Sequence, residues 1–171
     1  MELKLVIPQK EHENIVMDFQ KEFLKVNERI SGGAGLEQAQ HYEDWLKHKC
    51  IPHYGQVEEA VFLFFDHDCL IGISDIRLEK NEFIETYAGQ IGYSVRPTQR
   101  RKGYASEILR LTLIQASHYG FQKILITCNE PNSASSRVIE KNGGILEKVI
   151  PHPGFPNVKR YYIDLKWGCN E

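Results

Sequence analysis

Apolar and polar positions alternate from Leu3 to Ile7 and the pattern stops at Pro8, which predicts a first strand. From Glu11 to Asn27 the period changes, with Ile15, Val16, Phe19, Phe23, Leu24 and Val26 recurring at mostly helical spacing. Ser31-Gly32-Gly33-Ala34-Gly35 then reads as a loop, and a second helix carries Tyr42, Trp45 and Leu46. Ile51 to Glu59 is polar, contains Pro52 and Gly55, and reads as a connection. Val61 to Phe65 and Leu70 to Ile76 are apolar strands, and the short Asp66-His67-Asp68 between them predicts an antiparallel hairpin.

Gln90 to Val95 is the next strand, ended by Pro97. Tyr104 to Tyr119 is a long helix, apolar at Ala105, Ile108, Leu109, Leu113 and Ala116, with Gly120 where a left-handed cap is wanted. Lys123 to Cys128 follows as a strongly apolar strand, and Asn132 starts a further helix that Asn142-Gly143 ends. Ile145 to Ile150 and Arg160 to Leu165 are closing strands. The strand-helix-strand stretch from Gln90 to Cys128 predicts two parallel strands joined by a right-handed crossover. The expected fold is α/β, a mixed sheet with helices on both faces.

Composition narrows the function. With 171 residues the chain is one domain, and 42% hydrophobic and 26% charged residues place it in the globular range. A net charge of −2 supplies no global pull toward nucleic acid or anionic membrane, so neither is expected as a partner. No apolar run approaches a bilayer span. Met1-Glu2-Leu3-Lys4 lacks the basic leader and apolar stretch of a signal peptide. Cys50, Cys69, Cys128 and Cys169 lie far apart with no CxxC pair, as expected of reduced thiols in a cytoplasmic protein.

The chemistry concentrates where the Gln90–Val95 strand runs into Arg96-Pro97-Thr98-Gln99-Arg100-Arg101-Lys102-Gly103-Tyr104-Ala105-Ser106. A helix start offers unpaired N–H groups and partial positive charge, which suits a phosphate. Gly103 removes a side chain where the phosphate must approach the backbone, and Ala105 keeps the next contact small. Arg100, Arg101 and Lys102 add positive charge.

Arg100-x-x-Gly103-x-Ala105 resembles the pyrophosphate-binding signature of the GNAT N-acetyltransferase superfamily, (Gln/Arg)-x-x-Gly-x-(Gly/Ala). The segment from Asn132 through Ser135 to Glu140-Lys141-Asn142-Gly143 resembles the family's second signature helix. The likeness is close from about Gln90 to Gly144 and looser elsewhere. It extends to a subgroup of predicted acetyltransferases, through Gln90-Ile91-Gly92-Tyr93-Ser94-Val95-Arg96-Pro97 and Lys159-Arg160-Tyr161-Tyr162-Ile163.

The resemblance implies one acetyltransferase domain over 1–171. Its acceptor side would lie in about 1–60 and its acetyl-CoA-binding core in about 61–150. The sheet would be mixed and mostly antiparallel, with two parallel strands splaying to admit the pantetheine arm. The backbone of Tyr93, Ser94 and Val95 would hold the pantetheine amides, and an N–H near Val95 would stabilise the oxyanion. The backbone of Arg101 to Ser106, with Arg100 beside it, would hold the pyrophosphate. Asn132 would contact the pantetheine by its side-chain amide, cap the helix, or both. Ser135 would face the same channel or simply occupy the first helical turn.

Two usual catalytic positions are filled differently. Counting from Asn132, the family's proton-donating tyrosine is Ile139, and the strand glutamate falls at Gly89 and Gln90. Glu85 is the best candidate base or else an ordinary exposed acid. Tyr87 is a proton donor or a wall of the acceptor pocket, and Ser135 a proton relay. Two functions follow: acetyl transfer from acetyl-CoA to a small-molecule or peptide amine, or a non-catalytic acetyl-CoA sensor. A homodimer is expected from family analogy alone.

Ser31 to Gly35 lacks the Lys-Ser/Thr pair of a phosphate loop and is expected to be a mobile loop or a substrate lid. His48-x-Cys50-x-x-His53, with His41 before it, is spaced irregularly and reads as surface side chains, so no metal is expected. Pro151-His152-Pro153-Gly154-Phe155-Pro156 reads as a rigid loop that shapes either the acceptor pocket or a subunit contact.

Overall fold

A computed structural model describes residues 1–48 and 57–165. The connection expected over Ile51 to Glu59, and Cys50, His53 and Cys169, fall wholly or partly outside that range.

Strand β1 (Lys4–Val6) leads through a short turn into helix α1 (Glu13–Lys25), and α2 (Tyr42–His48) follows a tightly folded loop. Strands β2 (Glu59–Asp66) and β3 (Cys69–Arg77) form the expected hairpin, with His67 at φ 53 in its turn. A π-helical turn (Ile84–Ala88), unforeseen in the sequence, precedes β4 (Ile91–Val95). Then come α3 (Tyr104–His118), β5 (Lys123–Asn129), α4 (Ser133–Lys141), β6 (Ile145–His152) and β7 (Phe155–Asp164).

The strands form two antiparallel sheets, ordered β1-β2-β3-β4 and β5-β7-β6. Alternation along β2 explains how both faces of the first sheet are covered. Phe62 and Phe64 join the core under α3, whereas Val61 and Leu63 pack with Val16, Phe19 and Phe23 of α1. The polar Thr112 in the buried face of α3 is satisfied twice, by Ser74 Oγ at 2.7 Å and by donating to the Ile108 carbonyl at 2.7 Å.

Two loops differ from expectation. Gly32, Gly33, Ala34 and Gly35 are buried instead of forming an open lid. Trp45 Nε1 donates to the Gly33 carbonyl at 2.8 Å, and Ser94 Oγ donates to the Ser31 carbonyl at 2.7 Å. A Cβ on Gly32 would lie 2.3 Å from the Gly92 carbonyl oxygen, so the chain here must be glycine to rest on β4. The Pro151–Pro156 segment is not a loop. β6 and β7 continue to the pair His152↔Phe155 and close through a tight turn with Gly154 at φ 83. Pro151 is tolerated because β6 is an edge strand and its register slips between Ile150 and His152.

Among the described residues no helix is long and apolar enough to cross a membrane. At the start of β2, Glu59 sits beside Asp75 and Arg77 of β3, with its Oε2 buried and without a hydrogen-bond partner. Burial, then repulsion from Asp75, pushes the Glu59 carboxyl from 4.5 up to about 8. A folded pKa above the unfolded one stabilises most at low pH, and the contribution is lost as pH rises from 4.5 through about 8. Wild type should therefore lose melting temperature between pH 6 and 9 more steeply than Glu59→Gln, and parallel curves would contradict this assignment.

Candidate active site

The site begins where two free strand edges face each other. β4 is the outer strand of one sheet and β5 of the other. They touch at one bridge, Gly89 to Ile126. Gln90 N–H donates to the Leu125 carbonyl at 2.8 Å, and the Gln90 side-chain oxygen accepts from Leu125 N–H at 2.9 Å. A Cβ on Gly89, at φ 71, would lie 2.9 Å from the Leu125 carbonyl oxygen, so only glycine allows this approach. The bridge is antiparallel and no ladder continues beyond it among the described residues, so β4 and β5 are not paired in parallel as the strand-helix-strand order predicted, and both sheets are antiparallel throughout.

The β3–β4 ladder fixes which groups face the gap. Arg77 N–H bonds the Gln90 carbonyl and Arg96 N–H the Ile71 carbonyl, each at 2.8 Å. By antiparallel alternation, the N–H and C=O groups of Tyr93 and Val95 turn to the outer edge, toward β5. The gap opens into a cleft of ≈ 1160 Å³. That exceeds the roughly 300–1,000 Å³ of an ordinary small-ligand pocket, as a long ligand requires.

At one end lies the start of α3. Arg101 (φ 64) and Gly103 (φ 83) take left-handed conformations, and no side chain caps the helix. A Cβ on Gly103 would meet only Met1 Cε at 3.7 Å, so the space above the free N–H groups is open. Arg101 on the loop and Arg137 and Lys141 on α4 line the same cleft. In the middle, Tyr93 Oη lies 2.8 Å from Ser135 Oγ. Burial dominates there and pushes the Tyr93 hydroxyl from 10.0 to about 12. Cys128 lines the cleft beside them, its thiol raised mainly by burial and 3.4 Å from Ser136 Oγ. At the far end stand Arg77, Phe83, Tyr87, His152 and Phe155.

This arrangement has known counterparts. The family model for the acetyltransferase (GNAT) domain matches residues 8–145. The chain belongs to the GNAT acetyltransferase family. It is 34% identical over 103 residues to the uncharacterised N-acetyltransferase YnaD of Bacillus subtilis. That match covers 55% of this chain and 56% of YnaD, a little over half the length of that relative. An N-acetyltransferase structure from Staphylococcus aureus superposes with TM-score 0.70 at 17% identity, covering 97% of this chain and 100% of that one. YncA from Salmonella typhimurium, an acetyltransferase solved with its cofactor acetyl-CoA, superposes with TM-score 0.66 at 12% identity, covering 98% and 96%.

Of the residues expected to serve the GNAT site, Tyr93, Ser94, Val95, Arg100, Arg101, Gly103, Tyr104, Ala105, Ser106, Asn132, Ser135 and Tyr87 all line the cleft. Lys102 does not, and its Nζ donates to Gln99 Oε1 at 2.9 Å. Glu85 does not either. It is exposed on the π-helical turn, where its carbonyl accepts from Arg160. Arg100 is near the loop but already engaged. Its guanidinium holds both carboxyl oxygens of Glu28, at 3.1 and 2.6 Å, and its Nε donates to the Val95 carbonyl at 3.2 Å. The Arg100 bond holds the Glu28 carboxyl below the usual range. Arg96 likewise ties the loop to α1 through Glu22 at 2.8 Å, so both arginines anchor the loop. Asn132 caps α4, its Oδ1 accepting from Ser135 N–H at 3.1 Å, which leaves its NH₂ group uncommitted to the helix. Ser106 is held by Asn142 Nδ2 at 3.2 Å. Ile139 is buried in the core and presents nothing to the cleft.

Sequence reading missed the Tyr93 side chain, the clamp formed by Gln90, and Arg137 and Lys141. The i, i+4 spacing of the last two on α4 was the available signal. Removing the clamp tests the geometry. Gln90→Ala leaves a buried N–H unpaired, worth about 1–3 kcal/mol or roughly 2–10 °C of melting temperature. It should also raise the KM for acetyl-CoA. A variant as stable as wild type would mean that this side chain does not join the sheets.

Proposed function

We propose that the protein transfers the acetyl group of acetyl-CoA to a primary amine by direct attack in a ternary complex. The observation that carries this reading is the pair of facing, unpaired edges of β4 and β5, opening from the Gly89–Ile126 bridge beside an uncapped helix start. The pantetheine amides would pair with the Tyr93 and Val95 backbone, as an added strand would. The pyrophosphate would rest on the first turn of α3, with Arg101, Arg137 and Lys141 around it. A cytoplasmic setting fits the free thiols of Cys69 and Cys128.

The amine attacks the thioester carbonyl, the oxyanion is held by a backbone N–H at Val95, and the thiolate leaves. Tyr93 is the proton donor to that thiolate. Its raised pKa keeps it protonated across the physiological range, and Ser135 Oγ orients its hydroxyl. It takes the role that Ile139 cannot fill. Tyr87, on the acceptor side, is the remaining candidate for receiving the amine's proton through water. The sensor alternative is disfavoured by this Tyr93–Ser135 pair.

Two measurements test the reading. Acetyl-CoA at about a hundred times its Kd should stabilise wild type by ~2.7 kcal/mol, roughly 5–10 °C, and Gly103→Glu should abolish the shift while remaining folded. No shift in wild type would remove the cosubstrate site. Tyr93→Phe should lower kcat by about 10²-fold with little change in the KM for acetyl-CoA. An unchanged kcat would exclude Tyr93 as the acid.

A further inference from the structure

Four aromatic rings meet at the end of the cleft opposite the α3 start. Tyr87 stacks on His152 with ring centroids 4.0 Å apart and planes 13° from parallel, and His152 stacks on Phe155 at 4.5 Å and 26°. Phe83 lies against both Tyr87 and His152, at 5.5 and 6.1 Å. All four line the cleft, yet Phe155 is 66% exposed and Phe83 38%. A soluble domain gains nothing in folding from leaving a large ring this open at the mouth of a cavity.

The shelf is also firmly built. The π-helical turn that carries Tyr87 has its last carbonyls satisfied by two buried arginines. Arg160 donates to the Glu85 and Thr86 carbonyls, and Arg77 to those of Ala88 and Gly89 at 3.3 and 3.2 Å. Thr127 Oγ1 ties the turn to β5 through the Tyr87 carbonyl at 2.8 Å. His152 and Phe155 are the cross-strand pair that closes the β6–β7 hairpin. The rings are thus fixed by two separate elements, as a preorganised subsite requires.

Charge selects among the ligands such a shelf could take. An aromatic surface attracts flat rings and cations alike. Among the described residues the cleft is lined by Arg29, Arg77, Arg100, Arg101, Arg137 and Lys141, against the single carboxylate of Glu28, which Arg100 occupies. A polycationic acceptor would therefore find no free carboxylate lining the cleft among the described residues.

We infer that Phe83, Tyr87, His152 and Phe155 form the acceptor subsite, and that the acceptor is a primary amine carrying an aromatic ring that stacks on this shelf. This rests on the transferase reading above, which places the amine at this end of the cleft.

The test uses full-length protein saturated with CoA and measures binding of phenethylamine, n-butylamine and spermidine by calorimetry. Phenethylamine should bind about tenfold more tightly than n-butylamine. Phe155→Ala, at an exposed position, should erase most of that preference, and Phe155→Tyr should keep it. Equal binding of the two amines, tightest binding of spermidine, or a preference unchanged in Phe155→Ala would overturn the subsite. CoA release from acetyl-CoA, read with the same three amines, separates the two inferences. Phenethylamine binding that depends on Phe155 without any CoA release upholds the shelf and overturns the transferase. CoA release with spermidine alone upholds the transferase and overturns the shelf.

Discussion

An exposed strand edge is a row of unpaired donors and acceptors, and this protein places two of them face to face. β4 and β5 are held together at Gly89 and Gln90 and are separate beyond. Everything that makes a site follows from that junction. Because β5 cannot close on β4, the Tyr93 backbone and the Val95 N–H stay available while Arg100 takes the Val95 carbonyl, and the start of α3 and the flank of α4 converge over the gap. The junction itself demands particular residues. Glycine is needed for close approach, and a glutamine amide supplies the carbonyl that a neighbouring strand would otherwise provide.

The chain's cations divide by burial and partner. Arg96 and Arg100 sit on the loop between β4 and α3 and hold α1 and the segment after it, with their guanidinium carbons also 5.7 Å from the Phe19 and Phe23 ring centroids. Arg77 and Arg160 are buried and hold the π-helical turn. Arg101, Arg137 and Lys141 are exposed on the cleft wall and remain for an anion. A motif arginine can therefore fix the loop's shape while Arg101, Arg137 and Lys141 line the cleft.

Much of the fold was legible. Period-2 and helical patterns located the strands and helices, and Gly103 and Ala105 marked the uncapped helix start that lines the cleft. The errors came where local chemistry was ambiguous. Ser31 to Gly35 looks like a mobile loop because glycine is flexible in isolation, but here glycine permits contact with β4. Pro151 looks like a strand breaker, but an edge strand and a register slip accommodate its missing N–H. Glu85 and Tyr87 are two residues apart in sequence, and the π-helical turn exposes the first and brings the second into the cleft.

The sequence by itself determined the order of elements, the glycine-led start of α3 and the family, because periodicity and glycine placement act over short range. Only the tertiary structure decided that Tyr93 meets Ser135, forty-two positions along the chain, and that Tyr87 stacks on His152. Such contacts depend on where two sheets part and which faces their strands present. That geometry is set by long-range packing, and no local pattern of residues encodes it.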